Sequence, residues 1–275
     1  MKIKTTYVLR VCKPDLTSYK GFKWPEFGYV SAPDWDPYPK CVGGLHGWAM
    51  GEGEINSQSY SFDPNAKYLV VRVRTAEIVA LDGKVKFPRG TVVYCGDAPG
   101  AAAKILRKHP RAACHWAKVT GGDWAKVTGG DEATVTGGDG ATVTGGDRAK
   151  VTGGAWATVT GGAWATVTGG DRAKVTGGDW AKVTGGDWAK VTGGDGATVT
   201  GGNGATVTGG DRAKVTGGDG ATVTGGDRAT VTGGDEATVT GGDGATVTGG
   251  DRAKVTGGAR ATVTGGAWAT VTGGD

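Results

Sequence analysis

From Trp116 to Asp275, apolar and polar positions follow one rule, in a unit of eight residues repeated twenty times without insertion or deletion. The unit reads x-Ala-(Lys or Thr)-Val-Thr-Gly-Gly-(Asp, Ala or Asn). Over its first five residues, Ala and Val alternate with x, Lys or Thr, and Thr. This period of two, with β-branched Val and Thr, predicts a half-buried strand of five residues. Gly-Gly-Asp predicts a turn of three, in which the glycines supply positive φ and Asp hydrogen-bonds nearby backbone amides. One extra residue would send every later side chain to the wrong face, so strict phase means that each unit fills the same structural slot.

The fold class is therefore mainly β, a β-solenoid or parallel β-helix. Its core is built from inward Ala and Val, represented by Ala133, Val135, Ala149, Val151, Ala165 and Val167. Such small side chains cannot fill a triangular lumen. Two octads per 16-residue coil, in two facing parallel sheets of either hand, are expected. Ten coils at strand spacing would make a rod of about 48 Å. Each coil buries too little to order itself, so the array needs a nucleus and a cap.

Residues 1–115 read as that cap, a small α/β domain ahead of the 116–275 repeat. Tyr68-Leu-Val-Val-Arg-Val-Arg74 and Gly90-Thr-Val-Val-Tyr-Cys95 have the pattern of strands. Asp97 as N-cap and Pro99 in the first turn open a helix to about Lys108. Its apolar side, Ala101, Ala102, Ile105 and Leu106, is expected to cover the first coil. The repeat stops in phase at Gly274-Asp275, with no cap of its own, and end-to-end self-association is expected there.

Composition divides at the same place. The front part holds all four cysteines, all nine prolines and all three histidines, and its 17 Lys+Arg outnumber 10 Asp+Glu. The array carries 14 against 17, so the basic balance belongs to the front domain. Met1–Pro14 has only a brief apolar run before Arg10, too short for a signal-peptide core, and no stretch approaches a membrane span. A cytoplasmic protein with no membrane partner is the expectation. Cys12, Cys41, Cys95 and Cys114 lack a CxxC pair and read as free thiols.

Three octad positions vary, and narrowly. Position x is Trp, Arg, Gly or Glu, the third is Lys or Thr, and the last is Asp, Ala or Asn. Single-base changes connect each set, as duplication of one DNA unit followed by drift would leave behind; the alternative is a variable display surface. Trp116, Trp124, Trp156, Trp164, Trp180, Trp188 and Trp268 occupy x, on the outward strand edge. With a 16-residue coil, Trp164 stacks on Trp180 and Arg212 on Arg228. Exposed Trp and Arg suit a glycan or protein partner. The neighbouring Asp and slight acidity of the array oppose phosphate, so no nucleic-acid partner is expected.

Twelve octads carry Thr-Val-Thr and eight Lys-Val-Thr. Stacked in register, Thr134, Thr136, Thr142, Thr144, Thr158, Thr160, Thr166 and Thr168 contribute to paired threonine files about 7 Å apart, repeating every ~4.8 Å. Lysine interrupts them equally in both sheets. Here Gly-Asp-Gly-Ala-Thr-Val-Thr-Gly (138–145) resembles the octapeptides of bacterial ice-nucleation proteins, Gly-x-x-Ser-Thr-x-Thr-Ala, and is similar to the Thr-x-Thr faces of insect antifreeze solenoids. The resemblance implies flat threonine files that order water. The tyrosine of the nucleation repeat is missing. Gly-Gly-Asp is also similar to calcium-binding RTX turns, but the period is eight rather than nine and the third glycine is absent, so no metal is expected.

The front domain resembles small uncharacterised phage and bacterial domains that precede solenoid repeats. The likeness rests on Asp15-Leu-Thr-Ser-Tyr-x-Gly-Phe22, Ala32-Pro-Asp34, Cys41-x-x-Gly-Leu-His46 and Val85-Lys-Phe-x-x-Gly-Thr-Val-Val-Tyr-Cys-Gly96. It implies no activity. Cys41, His46 and Cys95 offer a thiol nucleophile or a ligand set, against the plainer reading as packing residues. The leading expectation is a non-enzymatic rod without cofactor that presents repeated side chains to a partner or to itself. An ice-binding surface is the second, and a small front-domain enzyme with the array as spacer the third.

Overall fold

The computed structural model describes residues 3–52, 65–110 and 112–274. Asp275, at which the repeat stops in phase, lies outside them. The chain divides into two compact units, Met1–Lys118 and Val119–Asp275.

Among its described residues, the N-terminal unit forms a seven-stranded antiparallel sheet with one α-helix. Its strands are β1 (Thr5–Cys12), β2 (Gly28–Ser31), β3 (Leu45–Ala49), β4 (Lys67–Arg74), β5 (Val79–Leu81), β6 (Lys84–Phe87) and β7 (Arg89–Gly96), in the order β2-β7-β4-β1-β3-β6-β5. β1 and β4 sit side by side at the centre, with Val8 opposite Val71 and Leu9 opposite Val70. Val8, Leu69, Val71, Val73, Phe87 and Trp24 share one buried cluster. Helix α1 (Ala98–Leu106) begins as its sequence predicts, with the Asp97 carboxylate accepting the Gly100 N–H at 2.9 Å. Ala101, Ala102 and Ile105 are buried, and the helix packs on β4 and β7. Among the described residues no helix is long and apolar enough to cross a membrane.

The repeat forms twenty three-residue strands, one per octad, from β8 (Lys118–Thr120) to β27 (Thr270–Thr272). Even-numbered strands make one ten-stranded parallel sheet and odd-numbered strands the other. Each residue pairs with its equivalent sixteen positions on, as Val135 with Val151 and Val143 with Val159, which fixes two octads per coil. Ala133, Val135, Ala149, Val151, Ala165 and Val167 are all fully buried, and from Ala133 to Val255 every octad Ala and Val is at most 1% exposed. Alternation is what puts them there, since successive strand side chains point to opposite faces.

The turn differs from its expected form. The strand is three residues long rather than five, and neither turn glycine has positive φ. That conformation belongs to x, at every one of the twenty positions, from Trp116 (φ 55°) to Trp268 (φ 63°). The glycines serve close approach instead. A Cβ on Gly177 would lie 2.5 Å from Val183 Cγ2 and 2.9 Å from Ala181 Cβ, inside the core. One on Gly178 would lie 2.8 Å from the backbone nitrogen of Ala163, on the coil before.

Backbone groups in the turn are satisfied along the axis, as buried or close-packed amides require. Gly178 N–H donates to Gly162 O at 3.2 Å, and Trp180 N–H to Asp195 O at 2.9 Å. The last octad residue completes the set from its side chain. Asp187 Oδ1 accepts the N–H of Asn203 at 2.8 Å, and Asp179 Oδ1 that of Asp195 at 3.0 Å, always sixteen residues on. The file of carboxylates is therefore a ladder of charge-assisted bonds to backbone. Ala155 and Ala163 interrupt it, because neither has an acceptor for Asp171 or Asp179. Asp187→Ala should cost about 1 kcal/mol and Ala163→Asp should add about as much. Amide exchange at Asn203 and Asp179, faster in the first variant and slower in the second, checks both.

Candidate functional faces of the solenoid

Outward strand positions three and five build two flat faces. Position three is exposed in every octad, and position five is half-buried or exposed. Position five is threonine throughout, so lysine interrupts only one file of each pair. Of the predicted ladder residues, Thr142 and Thr144 lie beside Thr158 and Thr160 on adjacent strands β11 and β13. Thr134 and Thr136 (β10) are separated from Thr166 and Thr168 (β14) by Lys150 and Thr152 on β12.

The longest unbroken Thr-x-Thr surfaces lie further along. One joins Thr206, Thr222 and Thr238 with their partners Thr208, Thr224 and Thr240 on β19, β21 and β23. The other joins Thr230, Thr246 and Thr262 with Thr232, Thr248 and Thr264 on β22, β24 and β26. Stepping through the sequence in sixteens finds both; stepping in eights, which mixes the two faces, hides them. Lys214 borders the second run and Lys254 the first.

The x files run along the solenoid corners. Trp124, Trp156, Trp164, Trp180, Trp188 and Trp268 are exposed. Trp116 is not a surface aromatic of this kind: it is half-buried in the N-terminal unit, edge-on to Tyr68 with centroids 5.1 Å apart. Trp164 and Trp180 stack as the coil length demands, 5.6 Å apart and within 12° of parallel. Arg172 lies 4.8 Å from the centroid of Trp156, and Arg252 bridges Glu236 at 3.3 Å. The indole of Trp180 also lies against Gly196, where a Cβ would come within 2.7 Å of the ring. Both faces of Trp180 are thereby occupied along the axis, so a sugar or base meets its edge.

Fifteen of the twenty x residues are not glycine yet sit in the left-handed region. Each such residue is strained by about 1 kcal/mol relative to glycine. Arg212→Gly should therefore stabilise its coil by about that amount, seen as slower amide exchange around residues 205–220. Trp180→Gly should gain less, because the ring's packing is lost with it.

The front-domain candidates are only partly assembled. Cys41 and His46 border one cavity and Cys95 does not. Among the described residues no group of three His, Cys, Asp or Glu is placed to hold a metal. Cys41 is exposed. Burial pushes Cys12 up to about 11 and Cys114 up to about 12, so neither forms a thiolate at neutral pH. Both thiols favour folding below their ordinary value of 9.0, and that contribution is lost as pH rises toward the folded values. Burial, then Lys84, Arg10 and Lys86, hold His46 below its ordinary value, which keeps the imidazole neutral.

Sequence comparison finds partial similarity to bacterial ice nucleation proteins. Identity is 35% over 107 residues with the ice nucleation protein of Pseudomonas fluorescens, covering 38% of this chain and 9% of that protein. It is 32% over 114 residues with ice nucleation protein InaU of Pantoea ananas, covering 41% and 11%. The chain spans about a tenth of the length of the curated relatives it matches. It is thus a β-solenoid repeat protein distantly homologous to ice nucleation proteins over about two fifths of its length. No family model matches the chain, and no solved structure matches it.

Proposed function

We propose that this is a non-enzymatic solenoid whose threonine faces order water and bind ice. The observation that carries the reading is the exact in-register stacking of exposed Thr-x-Thr strands, unbroken over β19-β21-β23 and β22-β24-β26. Hydroxyls held on a hydrogen-bonded sheet lose little entropy when they bind water in an array, because the sheet has already ordered them. Their spacing of ~4.8 Å by ~7 Å repeats across the face. Lysine opposes this, as a strongly hydrated charge on a flexible stem. The partial homology to proteins named for ice nucleation supports the same reading.

Lys214→Thr joins Thr198 to the run ending at Thr262, and Lys254→Thr joins Thr270 to the run starting at Thr206. The double variant should inhibit ice recrystallisation several-fold better than the parent. Thr222→Lys with Thr246→Lys should abolish inhibition while circular dichroism stays unchanged. Equal activity in all three proteins would refute an ice-binding face.

The strain at x favours a second role, display of Trp and Arg to a partner, since glycine would fill those corners at lower energy. A glycan or protein bound by the parent and lost on changing Trp156, Trp164 and Trp188 to Gly would support it; retention would count against it.

A further inference from the structure

A cavity of about 580 Å³ opens in the N-terminal unit beside β1 and β3, within the size range of small-molecule sites. Arg10, Lys20, Lys84 and His46 line it. The one carboxylate among its described lining residues is Asp34, whose Oδ1 accepts the Gly44 N–H at 3.1 Å. Arg10 is 4% exposed on the central strand β1, its Nη1 donating to the His46 carbonyl at 3.4 Å and its guanidinium carbon 5.8 Å from the Trp24 centroid. The cavity wall at residues 41–44 is tied to another buried cation. Lys86, fully buried, donates from Nζ to Lys40 O at 2.8 Å and to Val42 O at 3.0 Å.

Charges of one sign lining a cleft focus their field into it and raise the local concentration of the opposite sign. The cleft also has a flat apolar side in the half-buried Phe22, held edge-on by the buried Trp24 at 5.5 Å. His46 Nε2 is buried without a hydrogen-bond partner among the described residues. None of this serves the repeat's threonine faces.

We infer that the cavity binds a small molecule in which a carboxylate or phosphate is joined to a flat apolar body. The cations hold the anionic end, and the body lies against Phe22. Calorimetry on the full chain with benzoate, inorganic phosphate and benzyl alcohol tests this. Benzoate should bind saturably at one site, more tightly than phosphate, and benzyl alcohol should not. Lys20→Gln with Lys84→Gln should weaken benzoate about tenfold, as loss of charged partners does. Arg10→Lys, with folding checked by circular dichroism, should also weaken it, because a point charge replaces a planar fork. Absence of saturable anion binding, or an unchanged affinity in the double lysine variant, would overturn the site. Benzyl alcohol binding as well as benzoate would overturn its anionic character, and phosphate binding as tightly as benzoate its flat apolar part.

Discussion

Gly177→Ala is expected to destabilise the middle of the solenoid by about 3 kcal/mol, the upper range for an overpacked core. The added methyl meets Val183 Cγ2 at 2.5 Å and Ala181 Cβ at 2.9 Å, both short, stiff side chains with no free rotamer to escape into. Val167 Cγ2, on the coil before, lies 3.6 Å away and blocks retreat along the axis. Gly178→Ala should be comparably harmful for a different reason, since it strikes backbone of the preceding coil. Gly220 provides the contrast. It has nothing within 4 Å of a Cβ but sits at φ 64°, so alanine there should cost only about 1 kcal/mol of left-handed strain. Each coil contacts only its neighbours, so the damage should stay local. Amide exchange should show protection lost around residues 165–185 in Gly177→Ala and kept near residues 230–250. Uniform loss, or greater loss in Gly220→Ala, would show that the turn glycines are there for backbone freedom after all.

Val191→Thr should destabilise by about 2 kcal/mol while Thr192→Val changes stability by less than about 0.5 kcal/mol. The two changes exchange the same atoms at adjacent positions, so only the direction of the side chain separates them. Val191 is fully buried between Val175 and Val207, among aliphatic groups. The amide ahead of it is already committed, Lys190 N–H to Ala173 O at 2.9 Å. A hydroxyl there loses water without finding a partner. Thr192 lies half-buried on the outer face, where its hydroxyl keeps access to solvent. Thermal melting of the pair gives the comparison directly, and equal shifts would mean that inward and outward positions are wrongly assigned.

Period-two alternation read in and out correctly because strand geometry enforces it residue by residue. It also gave the sixteen-residue coil, since Ala and Val side chains are too small for a wider tube. The front strands and Asp97 cap were legible for the same reason, being local patterns with local causes. The turn was misread because its glycines carry two signals that look alike in one dimension. Gly-Gly permits positive φ, but it also permits approach, and which applies depends on a coil sixteen residues away. The longest threonine surfaces were missed likewise, since they are continuous only in steps of sixteen. The cavity of the N-terminal unit left no pattern in the chain; Arg10, Lys20, His46 and Lys84 come from separate segments.

The sequence alone therefore determined the solenoid's strand pattern, its core and its coil length, because each octad repeats the same local chemistry in strict phase. Tertiary structure decided which residue takes the left-handed corner, where each Asp carboxylate finds its amide, and where lysine divides one threonine run from the next. Those depend on distances between coils, which no single octad contains.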